Sequence, residues 1–129
     1  MDAEEEGPSE DLVIDVFARH CTSRATLEDV AGKWGILALL ALGEGDFRFS
    51  ALRRKVEGVS EKMLSQTLQT LERDGMVDRE VVTSIPPRVE YSLTPLGRDV
   101  AGKLRELADL IEGSVDAVAA ARAGYVSRS

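Results

Sequence analysis

The spacing of apolar residues changes twice along this chain, and these changes constrain its fold more than any other feature. Up to Gly75 the apolar residues recur every three or four positions, which is typical of amphipathic helices. From Met76 to Leu93 the period is two, with β-branched residues on both sides of Pro86 and Pro87, and this predicts a β-hairpin. The helical spacing returns after Leu93. The chain is therefore predicted to be mainly α-helical, with one small antiparallel hairpin.

Capping residues divide the first part of the chain into four predicted helices. Ser and Thr are preferred N-caps because their side chains accept hydrogen bonds from the first turn, and glycine is common where a helix ends. The predicted starts and ends are Ser9 and Cys21, Thr26 and Gly43, Ser50 and Gly58, and Ser60 and Gly75. After the hairpin, Thr94 and Pro95 predict a last helix that continues to about Arg122.

The length of the chain favours a single domain. At 129 residues, one compact domain buries a core without needing a disulfide or a metal. Residues 1–8 are acidic and almost free of large apolar side chains, so we expect a disordered tail there. The domain itself is predicted to cover residues 9–123, followed by a frayed end at 124–129.

The formal charge of −7 is unevenly distributed. Six acidic residues and no basic residue lie between Met1 and Asp11, whereas the segment from Asp46 to Glu90 contains eight bases and eight acids. A local basic face matters more for nucleic-acid binding than the total charge does. The acidic total argues against an indiscriminate polyanion binder, but it does not exclude a DNA-binding protein.

Residues for catalysis, metal binding and membrane insertion are scarce. Cys21 is the single cysteine and His20 the single histidine, and neither has a third group at the spacing of a catalytic or metal site. We expect no enzymatic activity, no cofactor and no metal. The longest uncharged apolar run, residues 34–43, is too short to span a bilayer, and the acidic start is unlike a secretory signal. A cytoplasmic protein without membrane contact is expected.

Two helices joined by a short turn and followed by a hairpin form the order of a winged helix-turn-helix. In that fold the second helix of the motif enters the major groove, and the hairpin, or wing, lies along the flanking backbone. Three segments resemble the HxlR family of bacterial winged-helix transcription regulators. They are GKW at 32–34, FRFSALRRKVEGVSEKMLSQTLQTLERDGMVDRE at 47–80 and IPPRVEYSLTPLG at 85–97.

The resemblance implies an α+β fold that is mainly α, with a small β-hairpin wing and with N- and C-terminal dimerisation helices. The recognition helix would occupy about 60–74, the wing about 77–93 and the C-terminal dimerisation helix about 95–122. It also implies double-stranded DNA as the partner.

The predicted recognition helix has one polar face. With its apolar residues and Thr67 turned to the core, it leaves seven polar side chains for DNA. They are Ser60, Lys62, Ser65, Gln66, Gln69, Thr70 and Arg73. Gln pairs with adenine, Lys reaches guanine or phosphate, and Ser or Thr contacts either a base or the backbone. The alternative is that this face is merely solvated.

Basic residues outside that helix are candidates for contacts with the DNA backbone. Arg88, at the hairpin, is predicted to reach a phosphate or the minor groove. Arg53 and Arg54 lie on the first helix of the motif, which crosses the backbone in such folds. The alternatives are a plain surface charge for Arg88, and ion pairs with Glu57 or Glu61 for the other two.

The last helix is longer than a winged core of this size covers, so part of its apolar face needs another partner. The first predicted helix leaves a similar face. The residues predicted at a homodimer interface are Leu12, Val16, Val100, Leu104, Leu107, Ile111 and Val115. A two-fold dimer matches a palindromic operator. The alternative is a last helix packed wholly within one chain.

Cys21 has two interpretations. Its neighbours Arg19, His20 and Arg24 favour a thiolate, and some HxlR-type regulators sense oxidants or electrophiles through a cysteine near this place. Oxidation beside a dimer interface would change the spacing of two recognition helices. The other interpretation is a structural or incidental cysteine.

These features predict a homodimeric, sequence-specific DNA-binding regulator of transcription. We expect a repressor that responds to an oxidant or a small molecule. The alternative function is a winged-helix protein-interaction module that does not bind DNA, and it would show no affinity for any duplex.

Overall fold

The computed structural model describes residues 15–128, except the side chains of Thr83, Ser84 and Arg128. These residues form six helices and a three-stranded antiparallel sheet. The helices are α1 (Thr22–Ala31), α2 (Lys33–Leu42), α3 (Phe49–Lys55), α4 (Glu61–Arg73), α5 (Pro95–Glu112) and α6 (Val115–Arg128). The strands are β1 (Phe47–Arg48), β2 (Val77–Ser84) and β3 (Pro87–Leu93). The predicted fold, mainly α with a small hairpin wing, is confirmed.

The first predicted helix lies only partly within the described residues. Residues 15–20 form turns, so the prediction of helix up to Cys21 is wrong for this stretch. Asp15 accounts for the difference, because its Oδ1 accepts a 3.1 Å hydrogen bond from the N–H of Phe17 and so competes with helical pairing. The acidic tail at 1–8, Ser9 and Leu12 lie outside the described residues.

A corner at Gly32 divides the second predicted helix into two. The sequence predicts one helix starting at Thr26, whereas the structure has α1, capped by Cys21, and then a separate α2. Gly32 is extended between them, with φ −66° and ψ 166°. The corner is tight, since a Cβ atom on Gly35 would lie 2.2 Å from the carbonyl oxygen of Asp29. The apolar spacing continues through the corner and therefore does not reveal it.

α4, the second helix of the motif, has the predicted ends. The Oγ atom of its N-cap Ser60 accepts a 3.1 Å hydrogen bond from the N–H of Met63. Past its other end, Gly75 has a φ of +78°, which glycine adopts without the steric cost of a Cβ. The preceding α3 includes Ser50, its predicted cap, because the extended Arg48 takes the cap position instead.

The wing is the predicted hairpin, and a short third strand joins it. The strand order is β1-β3-β2, so Tyr91 on β3 lies between Phe47 on β1 and Arg79 on β2. Strand β1 is not predicted by the sequence, because two residues are too few to show a period of two. The wing turns at Ile85 and Pro86, where the peptide bond is cis.

One core fixes the relative positions of the motif and the wing. Leu39 of α2, Leu52 of α3, Leu68 of α4 and Val77 of β2 are fully buried in a single cluster. Burying a side chain of this size stabilises the fold by about 2 kcal/mol. The helices that carry the polar face and the wing are therefore held by the same apolar contacts.

The start of α5 is fastened to the end of α4 through Thr94. The Oγ1 atom of Thr94 accepts a 2.9 Å hydrogen bond from the N–H of Gly97, and it donates a 2.7 Å bond to the carbonyl oxygen of Gly75. The N–H of Thr94 donates to the carbonyl oxygen of Met76 at 3.0 Å. The predicted cap at Thr94 is confirmed, and it also links two helices.

The last predicted helix is broken at Gly113. α5 ends at Glu112, and after a turn at Gly113 and Ser114 the chain continues as α6. The single helix predicted for 95–122 is therefore wrong, and so is the frayed end predicted from residue 124, which is helical up to residue 128. No helix within residues 15–128 is long and apolar enough to cross a membrane.

Candidate nucleic-acid interface

α4 presents one polar stripe to solvent. Three leucines of this helix are buried in the core. With 3.6 residues per turn, the opposite side presents four exposed polar side chains. They are Lys62, Gln66, Gln69 and Arg73. Within residues 15–128, Lys62, Gln66 and Gln69 have no hydrogen-bond or ion-pair partner, so their donors and acceptors are available to a ligand.

Three further predicted contacts lie at the borders of this stripe. Ser60 is exposed, but its Oγ already accepts a hydrogen bond as the helix cap. Ser65 and Thr70 are half-buried on the two flanks of α4. Met63, which the sequence predicts in the core, is 41% exposed, and with Thr70 and Trp34 it lines a groove of about 450 Å³. The structure thus brings the six predicted residues within α4 to one side of the helix or its edges, and Ser60 caps the start of the helix.

Arg73 differs from the rest of the stripe because it has ion partners. Its Nη2 lies 3.5 Å from Oδ2 of Asp29, and its Nε lies 3.6 Å from Oδ1 of Asp74. The side chain remains 69% exposed, so these are surface ion pairs of small energy. They neutralise part of the charge that Arg73 would offer to a phosphate.

The two carboxyl groups at Arg73 also affect one another. The pKa of Asp29 rises to about 6, because its side chain shares a hydrogen bond with Asp74, burial disfavours its charge, and the charge of Asp74 repels it. Oδ2 of Asp74 is buried and has no hydrogen-bond donor among the described residues. A proton on Asp29 would supply the missing donor.

The basic residues of α3 lie on the surface beside the motif. Arg53 and Arg54 are exposed, and neither forms an ion pair with a described residue, so the alternative of pairing with nearby glutamates is not realised. Their neighbour Lys55 pairs with Glu44 at 2.8 Å, which lowers the pKa of Glu44. Arg53 and Arg54 are therefore available for contacts outside the chain.

Arg88 is exposed at the start of β3, beside the turn of the wing. It lines a cleft of about 390 Å³ together with Arg48, the last residue of β1. The sequence analysis misses Arg48, because nothing in a two-residue strand indicates that it lies next to the wing. Its register opposite Glu90 on β3 brings it there.

The predicted dimerisation residues divide into two groups. Leu104 is 9% exposed and Val100 packs against the same core, so their own chain already covers them. Their prediction as interface residues is corrected accordingly. The others within the described residues, Val16, Leu107, Ile111 and Val115, are exposed. Exposed apolar side chains that the sequence analysis misses are Leu110, Tyr125 and Val126.

These exposed side chains form what we call the apolar surface of α5 and α6. It consists of Leu107, Leu110, Ile111, Val115, Val118, Tyr125 and Val126. All of them lie in the second half of α5 or in α6, beyond the part of α5 that packs on α2. Leu107, Ile111 and Val115 of this surface are predicted from the sequence, whereas Tyr125 and Val126 lie beyond the break at Gly113 and are not.

Cys21 is buried, with 2% of its surface exposed, and it is the N-cap of α1. Its Sγ accepts a 3.2 Å hydrogen bond from the N–H of Asp15. Burial raises the pKa of the thiol, but hydrogen bonds from the backbone of Arg24, Asp15 and Ser23 and from the Ser23 side chain lower it by more. The net pKa of Cys21 is therefore below its ordinary value, which favours a thiolate.

Known proteins resemble this chain over most of its length. The HxlR-like helix-turn-helix family matches residues 29–118. The HTH-type transcriptional regulator YtfH of Escherichia coli (strain K12) is 54% identical over 107 residues, which are 83% of this chain and 85% of the relative. The solved structure of the transcriptional regulator ytfH from Salmonella typhimurium is 53% identical, has a TM-score of 0.79, and matches 84% of this chain and 96% of its own.

The solved structure of the redox regulator HypR in its reduced form is also similar. It is 34% identical and has a TM-score of 0.70, and the match covers 76% of this chain and 97% of HypR.

Proposed function

This chain belongs to the HxlR-like helix-turn-helix family of transcriptional regulators, and on that premise we propose that it represses transcription by binding a palindromic operator as a homodimer. Its partner is double-stranded DNA, and its place of action is the cytoplasm. In this proposal α4 lies in the major groove, with Lys62, Gln66 and Gln69 nearest the bases. The wing lies along the flanking backbone, which Arg88 contacts.

The observation that carries this proposal is the polar stripe of α4. Three of the four stripe residues, Lys62, Gln66 and Gln69, have no partner among residues 15–128, and they lie together on the second helix of the motif, so their donors and acceptors are available to base edges. Gln pairs bidentately with adenine, and Lys reaches guanine or phosphate. The rigid core behind α4 supports the same interpretation, because a reading helix has to hold its side chains in register with the bases.

The homodimer is supported by the apolar surface of α5 and α6. Every apolar side chain of α6 is exposed within one subunit. Exposed apolar patches of this kind mark interaction sites, and self-association is the arrangement that a two-fold operator requires. The second subunit would bury this surface and set the distance between the two recognition helices.

An oxidant is the signal that we propose, acting on Cys21. The lowered pKa of its thiol favours the thiolate, and the similar protein HypR is a redox regulator. Because Cys21 is 2% exposed, the proposal also requires the start of α1 to open before an oxidant reaches the sulfur. The test compares operator binding by the wild type and by Cys21→Ser, each with and without a thiol oxidant. We expect the oxidant to weaken binding of the wild type alone, and an equal response of both proteins would refute the role of Cys21.

The central experiment measures DNA binding directly. The purified protein is titrated into labelled DNA from upstream of its own gene and into a scrambled duplex of equal length, at several salt concentrations. We expect tighter binding to the first duplex, a two-fold symmetric footprint and an affinity that falls steeply with salt. A reporter gene behind the same DNA should be expressed more strongly when the regulator is removed.

The same titration decides between this function and the alternative. A protein-interaction module would bind neither duplex, even at low salt and with the dimer intact. That result would refute the DNA-binding proposal and redirect the search to protein partners.

A further inference from the structure

The cleft between the start of α3 and the turn of the wing carries two arginines from different parts of the chain. Arg48 ends β1 directly opposite Glu90 of β3, and Arg88 precedes Glu90 by two residues on the same strand. Alternate residues of a strand share a face, so both arginines lie on the same face of the sheet. The cleft they line has a volume of about 390 Å³. Its other lining residues are Phe49, Ser50, Pro86, Pro87 and Val89.

Neither arginine forms an ion pair with an acidic residue among residues 15–128. Elsewhere in the described residues, Arg24, Lys55 and Arg105 all form ion pairs with acidic side chains. Arg48 and Arg88 form none, although Glu90 is opposite Arg48 in the sheet register and two residues from Arg88 on β3. Two guanidinium groups that share a cleft repel one another, and an anion in the cleft removes that repulsion.

The chemistry of the cleft suits an anion that presents several oxygens. A guanidinium presents paired N–H donors in a planar fork, which matches the oxygens of a phosphate. The two prolines at the turn limit the motion of the backbone beside the arginines. Ser50 adds a hydroxyl group at the edge of the cleft. The site therefore fits the charged oxygens of an anion better than an apolar ligand, and in the proposed complex the anions beside the wing are the phosphodiesters of DNA.

We propose that Arg48 and Arg88 together clamp one phosphate of the DNA strand that flanks the groove occupied by α4. This inference rests on the proposed function. It assigns to Arg48, a residue of the short strand β1, a contact that the wing alone cannot make. Because a phosphate contact does not depend on sequence, the clamp acts on operator and non-operator DNA alike.

The test measures binding to a labelled 30-base-pair duplex of arbitrary sequence, by fluorescence anisotropy over a range of salt concentrations. The proteins compared are the wild type, Arg48→Ala, Arg88→Ala and the double variant. Arg79→Ala is the matched control, since it removes an exposed arginine from the opposite face of the same hairpin. Thermal melts of all variants establish that each is folded.

We expect each single variant to bind DNA about 5- to 10-fold more weakly than the wild type. The magnitude of the slope of log affinity against log salt should fall by about 0.9 for every phosphate contact that is lost. Because both arginines hold the same phosphate, the double variant should lose less than the product of the two single losses. Arg48→Lys, which keeps the charge without the fork, should recover part of the affinity.

Two results would overturn the clamp while leaving the proposed function intact. One is a wild type that binds DNA while Arg48→Ala behaves like Arg79→Ala. The other is a double variant whose loss equals the product of the single losses, because that result assigns the arginines to separate phosphates. A wild type that binds no duplex at low salt would overturn the proposed function and the clamp with it.

Discussion

Asp29, near the end of α1, and Asp74, which follows the last residue of α4, hold their carboxyl groups against each other, and Arg73 contacts both. The arrangement links the end of α4 to α1 through a hydrogen bond between the two carboxyl groups and through the ion pairs of Arg73. When both carboxylates are charged they repel one another, and only the ion pairs with Arg73 offset that repulsion. A proton on Asp29 removes the repulsion. The contact therefore depends on pH.

Asp29→Asn is expected to stabilise the protein at pH 7.5 but not at pH 4. The pKa of Asp29 is about 6 in the folded protein and near 3.8 in the unfolded chain, so its contribution to stability is fully present below about pH 4 and is lost as the pH rises through 6. Asparagine keeps a donor for Asp74 at every pH. We expect a gain of about 1 to 2 kcal/mol at pH 7.5, measured by thermal unfolding at both pH values.

The matched control for that experiment is Asp78→Asn, which removes an exposed carboxylate from the wing. It should change stability by less than about 0.5 kcal/mol at either pH. If Asp29→Asn lowered stability at pH 7.5, or changed it equally at both pH values, the ion pair with Arg73 would outweigh the repulsion between the carboxylates.

Gly97→Ala is expected to destabilise the fold by at least about 2 kcal/mol. A Cβ atom at this position would lie 1.9 Å from the carbonyl oxygen of Met76, so the start of α5 would have to move away from the wing. Gly102→Ala, in the same helix, meets nothing within 4 Å and should stabilise by about 0.5 to 1 kcal/mol through helix propensity. Chemical denaturation measures the free energy of unfolding of both variants. An equal change in the two would contradict the close approach at Gly97.

Gln66→Ala is expected to reduce operator affinity by about 1 to 3 kcal/mol and to relax specificity at one base position. The reason is that Gln66 lies in the middle of the polar stripe, opposite the buried leucines. Arg54→Ala on α3 is the comparison, since loss of a phosphate contact weakens binding to every sequence equally. Affinities for a set of single-base operator variants distinguish the two patterns. A uniform loss for Gln66→Ala would show that this residue contacts the backbone instead.

Tyr125→Asp is expected to convert the proposed homodimer into monomers. Tyr125 is 68% exposed and lies next to Val118, Arg122 and Val126 on one side of α6, where a carboxylate would be buried without a partner in the dimer. Ala120→Asp, on the other side of α6, serves as control because that side carries no large apolar residue. Sedimentation equilibrium measures the change, and two variants with equal association constants would exclude this side of α6 from the interface.

The sequence predicts the elements whose ends are marked by side-chain chemistry. Ser60, Gly75 and Thr94 are found where the caps place them, because each satisfies a specific backbone group or adopts a specific φ angle. The polar stripe of α4 is predictable for a related reason. Buried leucines fix the rotation of the helix, so the exposed side follows from the spacing alone.

The features that the sequence does not reveal depend on contacts between distant segments or on interruptions that leave the apolar spacing intact. The corners at Gly32 and Gly113 are interruptions that leave the apolar spacing intact, because a glycine within a helical pattern is compatible with either a bend or a straight helix. The position of Arg48 depends instead on a contact between distant segments. Its place beside Arg88 is set by the pairing of β1 with β3, which is a long-range contact.

Because Thr94 links the start of α5 to the end of α4, a tilt of α5 in the proposed dimer also moves α4. The 18 residues of α5 span about 27 Å, and its first turn is bound to the carbonyl oxygen of Gly75 at the end of the recognition helix. A tilt of about 5° at the far end, where the apolar surface begins, displaces the Gly75 end by roughly 2 Å. The crossing angle of two α5 helices would then set the separation of the two recognition helices. A rotation too small to disturb either core would shift them by a few ångströms, which is enough to break hydrogen bonds to base edges because these require distances of about 3 Å.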